Sequence, residues 1–159
     1  MFCRAVSRER VSVRTVAAPT RGEIQALAEV FDLYRVHYGE SPDVSRAARW
    51  LDENLGSGSL RAFVGEDGGT LVGFALTMEV PASLRLGRFW LIRDLFVLPA
   101  HRRLGVGRAL LASVHAAAIE AGALRLVVQT EDDNDPAIRL YAGCGFELIE
   151  GYRSLLLPL

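Results

Sequence analysis

Residues Phe89 to Gly122 read FWLIRDLFVLPAHRRLGVGRALLASVHAAAIEAG, and the three parts of this stretch decide the fold. Phe89 to Leu98 is apolar on both faces except at Arg93 and Asp94, the pattern of a strand buried between two layers. Pro99 ends it, because proline has no N–H to give to a ladder. From Gly105 to Gly122, Val106, Leu110, Val114 and Ala117 recur on one face at helical spacing, so a helix follows. The segment His101-Arg102-Arg103-Leu104-Gly105-Val106-Gly107-Arg108 therefore joins the end of a buried strand to the start of a helix. Gly105 and Gly107 allow close backbone approach there, and the helix N-terminus adds partial positive charge. Arg102, Arg103 and Arg108 bring three full charges to the same loop, which makes it a candidate phosphate site.

Upstream, Val11, Val13 and Val16 suggest a first strand, and Pro19-Thr20 opens a helix at about residue 20. Ile24, Leu27, Ala28, Phe31, Leu33 and Tyr34 are its apolar stripe, and it should end by Gly39. A second helix, capped by Asp43 or Ser45, has Ala47, Trp50, Leu51 and Leu55 as its buried face and closes at Gly56-Ser57-Gly58. The period then changes to two: Leu60, Ala62 and Val64, a turn at Asp67-Gly68-Gly69, then Leu71, Gly73, Ala75 and Thr77 predict an antiparallel hairpin. Downstream, Leu124 to Thr130 reads as a strand and Asp135 to Cys144 as a short helix capped by Asn134. Phe146 to Leu148 with Tyr152 to Leu157 reads as a closing hairpin. The resulting order, β-α-α-β-β-β-α-β-α-β-β, is an α/β chain with a central mixed β-sheet flanked by helices on both faces. Its functional site is expected at the end of the central strand.

The chain has 159 residues, half of them apolar, with a net charge of −1. Those totals suit one globular domain, residues 11–159 after a polar tail of residues 1–10, and argue against nucleic acid as a partner. All 18 basic residues are arginine, so lysine nucleophiles and Schiff bases are excluded. A phosphate loop of the GK[ST] type is excluded for the same reason. The dinucleotide fingerprint fits poorly, because the sixth position counted from Gly105 is Leu110, not Gly or Ala. Cys3 and Cys144 form no CxxC pair or disulfide framework, which points to the reduced cytoplasm. No membrane span is expected either, since no run of eighteen apolar residues occurs. His37, His101 and His115 lack metal-ligand spacing, and Ser113 and Cys144 lack the surroundings of an acyl-enzyme nucleophile.

Two motifs give the chain a family likeness. Arg102-Arg103-Leu104-Gly105-Val106-Gly107, preceded by Val97-Leu98-Pro99, matches the loop [QR]-x-x-G-x-[GA]. Downstream, Asn134-Asp135-Pro136-Ala137-Ile138-Arg139-Leu140-Tyr141 followed by Gly145-Phe146 matches N-x-x-A-x-x-L-Y-x-x-x-G-F. In this order, with a helix and a strand between, the chain from about residue 11 to 158 resembles the GNAT family of N-acetyltransferases, and the acyl-CoA N-acyltransferase fold is expected. The resemblance implies acetyl-CoA as cofactor. It implies that the strands 89–98 and 124–130 splay and admit the pantetheine arm. The main chain of Leu95, Phe96 and Val97 would hold that arm and the thioester carbonyl, and the amides from Arg102 through Arg103, Leu104, Gly105, Val106 and Gly107 to Arg108 would hold the pyrophosphate. Asn134 and Ala137 would lie along the arm. Tyr141 would donate a proton to the leaving thiolate; as a residue it also reads as a packed tyrosine with one satisfied hydroxyl.

An amine acceptor must lose a proton before it attacks, so a base is expected near the thioester. Asp94, a carboxylate in an otherwise apolar strand, is the candidate, with pairing to a neighbouring arginine as the plainer reading. Family members often carry a glutamate near this point. Glu131-Asp132-Asp133-Asn134-Asp135 places carboxylates after the second core strand, where they would attract a cation or simply be a solvated, capping loop. Phe31 to Gly39 looks like the acceptor wall of family members acting on small amines or histone tails, which makes Tyr34, Arg35 and Tyr38, with Asp94 and Glu131, the acceptor candidates. Val128 to Thr130 through Asp135 to Ala137 also resembles aminoglycoside 3-N-acetyltransferases. The expected acceptor is thus a polyamine-like or aminoglycoside-like amine or a basic peptide. The rival readings are a non-catalytic acyl-CoA-binding module and, more distantly, a nucleotide-binding regulator. The apolar run Leu155-Leu156-Leu157 suits a homodimer contact and a monomer's last strand equally.

Overall fold

The computed structural model describes residues 11–151 and 154–158. Their elements run β1 (Val11–Val16), α1 (Arg21–His37), α2 (Val44–Gly56), β2 (Arg61–Asp67), β3 (Thr70–Ala82), β4 (Gly87–Val97), α3 (Val106–Glu120), β5 (Leu126–Val128) and α4 (Asp135–Ala142). The sheet order is β1-β2-β3-β4-β5. The first four strands pair antiparallel and β5 joins β4 in parallel, so the sheet is mixed, as the order of elements predicts. No described helix is long and apolar enough to cross a membrane.

Two apolar layers sandwich the sheet. On one face α1 and α2 bring Leu27, Ala28, Phe31 and Leu51 against Ala62, Val64, Phe74 and Leu76. On the other, α3 and α4 bring Val106, Leu110, Val114 and Tyr141 against Phe63, Val72, Trp90 and Ile92. Covering both faces buries every residue from Val72 to Thr77, which explains why β3 is apolar at successive positions. The helix starts follow local chemistry. Thr20 Oγ1 accepts from the Glu23 amide at 3.2 Å while the Glu23 carboxylate accepts from the Thr20 amide at 2.9 Å, a reciprocal cap. Asp43 caps α2 by accepting from the Arg46 amide at 2.9 Å. In α1, Val30 takes the buried place expected for Leu33, which is exposed. Trp50 is partly exposed and stacks on Phe31 with centroids 5.4 Å apart.

Asp32 is the buried joint between the first two helices. Its carboxylate accepts from Arg35 Nη1 at 2.5 Å and from the Asp43 amide at 3.1 and 3.0 Å, tying α1 to the start of α2.

One irregularity in β4 positions the site. Ile92 pairs with Thr77 but Asp94 pairs with Leu76, so Arg93 is an extra residue, a bulge. The inserted residue reverses the alternation. Trp90 and Ile92 face α3, whereas Asp94 is brought to the α1 side and Phe96 packs in the α1 layer. Pairing with β5 stops at Ile92 and Val128. The strand expected from Leu124 to Thr130 is therefore only Leu126–Val128, because β4 leaves its parallel partner once it passes the bulge.

The expected closing hairpin is absent among the described residues: 146–150 and 154–158 form no strand, and Tyr152 lies outside them. Leu155, Leu156 and Leu157 are 95, 90 and 80% exposed; three consecutive leucines carry no alternation to choose a face for the sheet. Residues 1–10, expected as a tail and including Cys3, also lie outside the described residues. Cys144 is buried in the α3 and α4 layer, in line with a packing role.

Gly73 permits the close approach of β3 and β4. A Cβ there would lie 2.8 Å from the Phe96 carbonyl oxygen and 3.3 Å from Val97 Cα, backbone atoms that cannot rotate away. Gly73→Ala is expected to cost about 1–3 kcal/mol, lowering Tm by roughly 2–4 °C per kcal/mol. Gly56→Ala, where nothing lies within 4 Å, should leave a thermal melt unchanged or slightly improved.

Candidate active site

Where β4 and β5 part, a cleft of about 270 Å³ opens. Leu91 to Leu95 form one side, Val128 to Glu131 the opposite side, and Tyr34 and Tyr38 of α1 with Asn134, Ala137 and Tyr141 at and on α4 complete it. Of the residues expected at the acceptor site, Tyr34, Tyr38, Asp94 and Glu131 meet here. Arg35 does not. Its guanidinium is held by Asp32 and lies near Glu40 at 3.7 Å, so its role is to tie α1 to the chain that follows. Of the carboxylates in the acidic run, only Glu131 lines the cleft; Asp135 faces Arg139 at 3.7 Å.

The bulge gives Asp94 its partner. Tyr34 Oη donates to Asp94 Oδ1 at 2.7 Å, so the carboxylate pairs with a tyrosine from α1 and not with an arginine. Burial pushes the Asp94 carboxyl above the usual carboxylate range, against the opposing influence of the Tyr34 hydrogen bond and the Arg93 charge. Burial also pushes up the Tyr34 hydroxyl, helped by the adjacent Asp94 charge. Tyr141 is buried, and burial, with Tyr38 and Glu131 nearby, pushes its hydroxyl up to about 12. It is therefore protonated throughout the neutral range.

Glu131 is held below the usual carboxylate range, first by its own backbone amide and then by Asn134, whose Nδ2 donates to it at 3.4 Å. The same Asn134 accepts from the Ala137 amide at 3.3 Å, so its side chain caps α4 while lining the cleft.

The open edge of β4 follows from its hydrogen bonds to β3. The Leu98 amide donates to Val72 O at 2.9 Å, and the register places Phe96 opposite Phe74 and Asp94 opposite Leu76. By alternation, the main-chain groups of Phe96 turn toward β3 and those of Leu95 and Val97 turn toward the gap left by β5. Of the three residues expected to present main chain to a ligand, Phe96 is thus removed. The Val97 carbonyl on that edge accepts from Arg102 Nε at 3.0 Å, and the Arg102 guanidinium lies 5.6 Å from the Phe96 ring centroid.

Beyond it, the loop turns through Arg103 at φ 62° and Gly105 at φ 90°. Gly105 caps α3 without any side-chain hydrogen bond, so the amides of Val106 and Gly107 in the first turn are left to a ligand or solvent. The Arg102 amide is not among them, because it donates to Pro99 O at 3.3 Å. Arg108 Nη1 donates to Gly143 O at 3.3 Å, joining α3 to the end of α4. Leu104 is exposed at the tip of the loop. An exposed strand edge leading to a ring of amides and arginines suits an extended, amide-bearing arm ended by a pyrophosphate.

The model of the acetyltransferase (GNAT) family matches residues 26–146. The chain belongs to this family. It is 32% identical over 127 residues, 80% of this chain and 85% of the relative, to the uncharacterized N-acetyltransferase YhfO of Bacillus subtilis (strain 168). A solved structure of a probable acetyltransferase superposes with a TM-score of 0.84 at 26% identity, covering 93% of this chain and 97% of the other. An aminoglycoside acetyltransferase from an uncultured soil metagenomic sample, solved with trehalose, shares the fold with a TM-score of 0.81 at 17% identity, covering 96% of this chain and 98% of that one. This GNAT protein is accordingly an N-acetyltransferase.

The two family motifs found in the sequence are the loop before α3 and helix α4, on two sides of the gap. Sequence reasoning missed the pairing of Tyr34 with Asp94. Its one signal was a charged residue, Arg93, next to the carboxylate in a buried strand, and that cannot reveal which residue the bulge inserts.

Proposed function

We propose that residues 11–159 act as one cytoplasmic N-acetyltransferase domain that moves the acetyl group of acetyl-CoA directly to the primary amine of a small molecule or a basic peptide. The observation that carries this reading is the open β4 edge at Leu95 and Val97, which leads from the α3 amides to a cleft holding both Asp94 and Tyr141. Acetyl-CoA would supply the acetyl group as a thioester. Asp94 takes a proton from the acceptor ammonium, and the neutral nitrogen forms its bond to the carbonyl carbon. As the carbon–sulfur bond breaks, the Tyr141 hydroxyl protonates the sulfur, and the resulting phenolate recovers a proton from the nitrogen. Asp94 returns its proton to solvent, so the products are the amide, the thiol and one proton. Backbone amides at the β4 edge would stabilise the charge on the carbonyl oxygen.

The acceptor is polyamine-like, aminoglycoside-like or a basic peptide, a reading supported by Asp94 and Glu131 in the cleft and by the three tyrosines around it. Cytoplasmic location is proposed because Cys3 and Cys144 form no CxxC motif or dense disulfide framework in the sequence, and a homodimer on the exposure of Leu155 to Leu157. The test is thiol release from acetyl-CoA across polyamines, aminoglycosides, amino acids and basic peptides, with CoA-induced thermal shift in parallel. Amine-dependent release is expected; a thermal shift without release on any acceptor would instead support a binding module.

A further inference from the structure

The Tyr34 ring is clamped on several sides. Its centroid lies 5.9 Å from Phe31, 5.8 Å from Phe74, 5.7 Å from Phe96 and 5.1 Å from Tyr38. A ring so enclosed has little freedom, and its hydroxyl is directed at Asp94 Oδ1 across 2.7 Å, between residues sixty positions apart in the chain. Asp94 Oδ2 has no hydrogen-bond donor among the described residues, and Asp94 lines the cleft. One carboxylate oxygen is therefore occupied, and the other is available to a proton from the acceptor.

We propose that Tyr34 is a positioning residue for acetyl transfer: it locks Asp94 by Oδ1, fixes the direction of Oδ2 and keeps the carboxylate ionised so that it can deprotonate the amine. This rests on the transferase reading, in which Asp94 receives that proton. The hydroxyl is suited to the task because it remains a donor, its own ionisation being opposed by burial and by Asp94. The balance at Asp94 is between burial, which favours the neutral acid, and the Tyr34 hydrogen bond with the Arg93 charge, which favour the carboxylate. The other titratable groups lining the cleft are Tyr38 from α1, Glu131 from the loop after β5 and Tyr141 from α4, with His37 acting on Glu131.

Tyr34→Phe keeps the ring and removes only the hydroxyl. Without that donor the carboxylate protonates more readily, so the acid limb of the pH profile of kcat/KM should move to higher pH. On the acid side of the limb kcat/KM should fall about tenfold, and above it the rate should recover toward that of the wild type. With Asp94→Asn in place, adding Tyr34→Phe should have no further pH-dependent effect, a non-additivity that a purely structural tyrosine would not produce. An unmoved limb, or an equal loss at every pH, overturns the role of Tyr34. If the wild-type protein releases no thiol with any amine, the transferase reading itself fails, a result distinct from either. Thermal melts of both variants exclude misfolding as the source of a uniform loss.

Discussion

Replacing Tyr141 with phenylalanine is expected to lower kcat by about 10²–10⁴-fold, the span that general acid catalysis contributes, with CoA affinity nearly unchanged. The substitution removes one oxygen and keeps the ring that packs 5.7 Å from Phe146. The loss should therefore appear in turnover and leave the fold intact. Burial holds the hydroxyl protonated, and a pushed-up value of about 12 means that it does not ionise over the pH range of an ordinary assay. No basic limb below about pH 10 should come from this residue. Steady-state rates together with a CoA titration separate the outcomes: unchanged turnover would remove Tyr141 from the chemistry, and a parallel loss of CoA binding would make it a cofactor contact alone.

The largest stability effect is expected at Asp32. Truncation to alanine removes the acceptor for two backbone contacts from Asp43 and leaves Arg35, itself largely covered, without its close counter-charge. Breaking a buried ion pair in this way costs about 3–5 kcal/mol. For a chain of this size that corresponds to a fall in Tm on the order of 10 °C. Asp32→Asn retains an acceptor for the Asp43 amide and should lose less. Thermal or urea unfolding of the two variants measures the difference, and an alanine variant as stable as the wild type would mean that solvent replaces these bonds at no cost.

What the sequence made legible follows from how local each signal is. The α3 helix, the turn at Asp67 to Gly69, the helix start at Thr20, the cap Asn134 and the choice of Asp43 or Ser45 to cap α2 were readable because their causes lie within a few residues. The loop between β4 and α3 was readable for the same reason, since strand end, glycines and helix start are contiguous. The Arg93 bulge was not, because an inserted residue changes pairing with β3 without changing composition. Missing it hid the contact between Tyr34 and Asp94 and left Phe96 beside Leu95 and Val97 as a ligand-facing main chain. β5 is shorter than expected, and the expected C-terminal hairpin does not form among the described residues, because apolarity reports burial potential, whereas a strand also needs a partner within reach. Arg35 was misassigned because its partner, Asp32, is set by helix geometry and by the return of the chain at Asp43.

The short ladder between β4 and β5 also orders the events of folding. β2, β3 and β4 are joined in sequence as an antiparallel meander, and β3 and β4 share a long register from Gly73–Val97 to Ala82–Gly87. Contacts between such near neighbours cost little loop entropy and form early. β5 has to return across the whole of α3 to add only three residue pairs, so it gains least and is expected to dock last. The cleft has no second wall until that strand arrives. A nascent or partly folded chain can thus pair its antiparallel strands and still lack the cleft between β4 and β5.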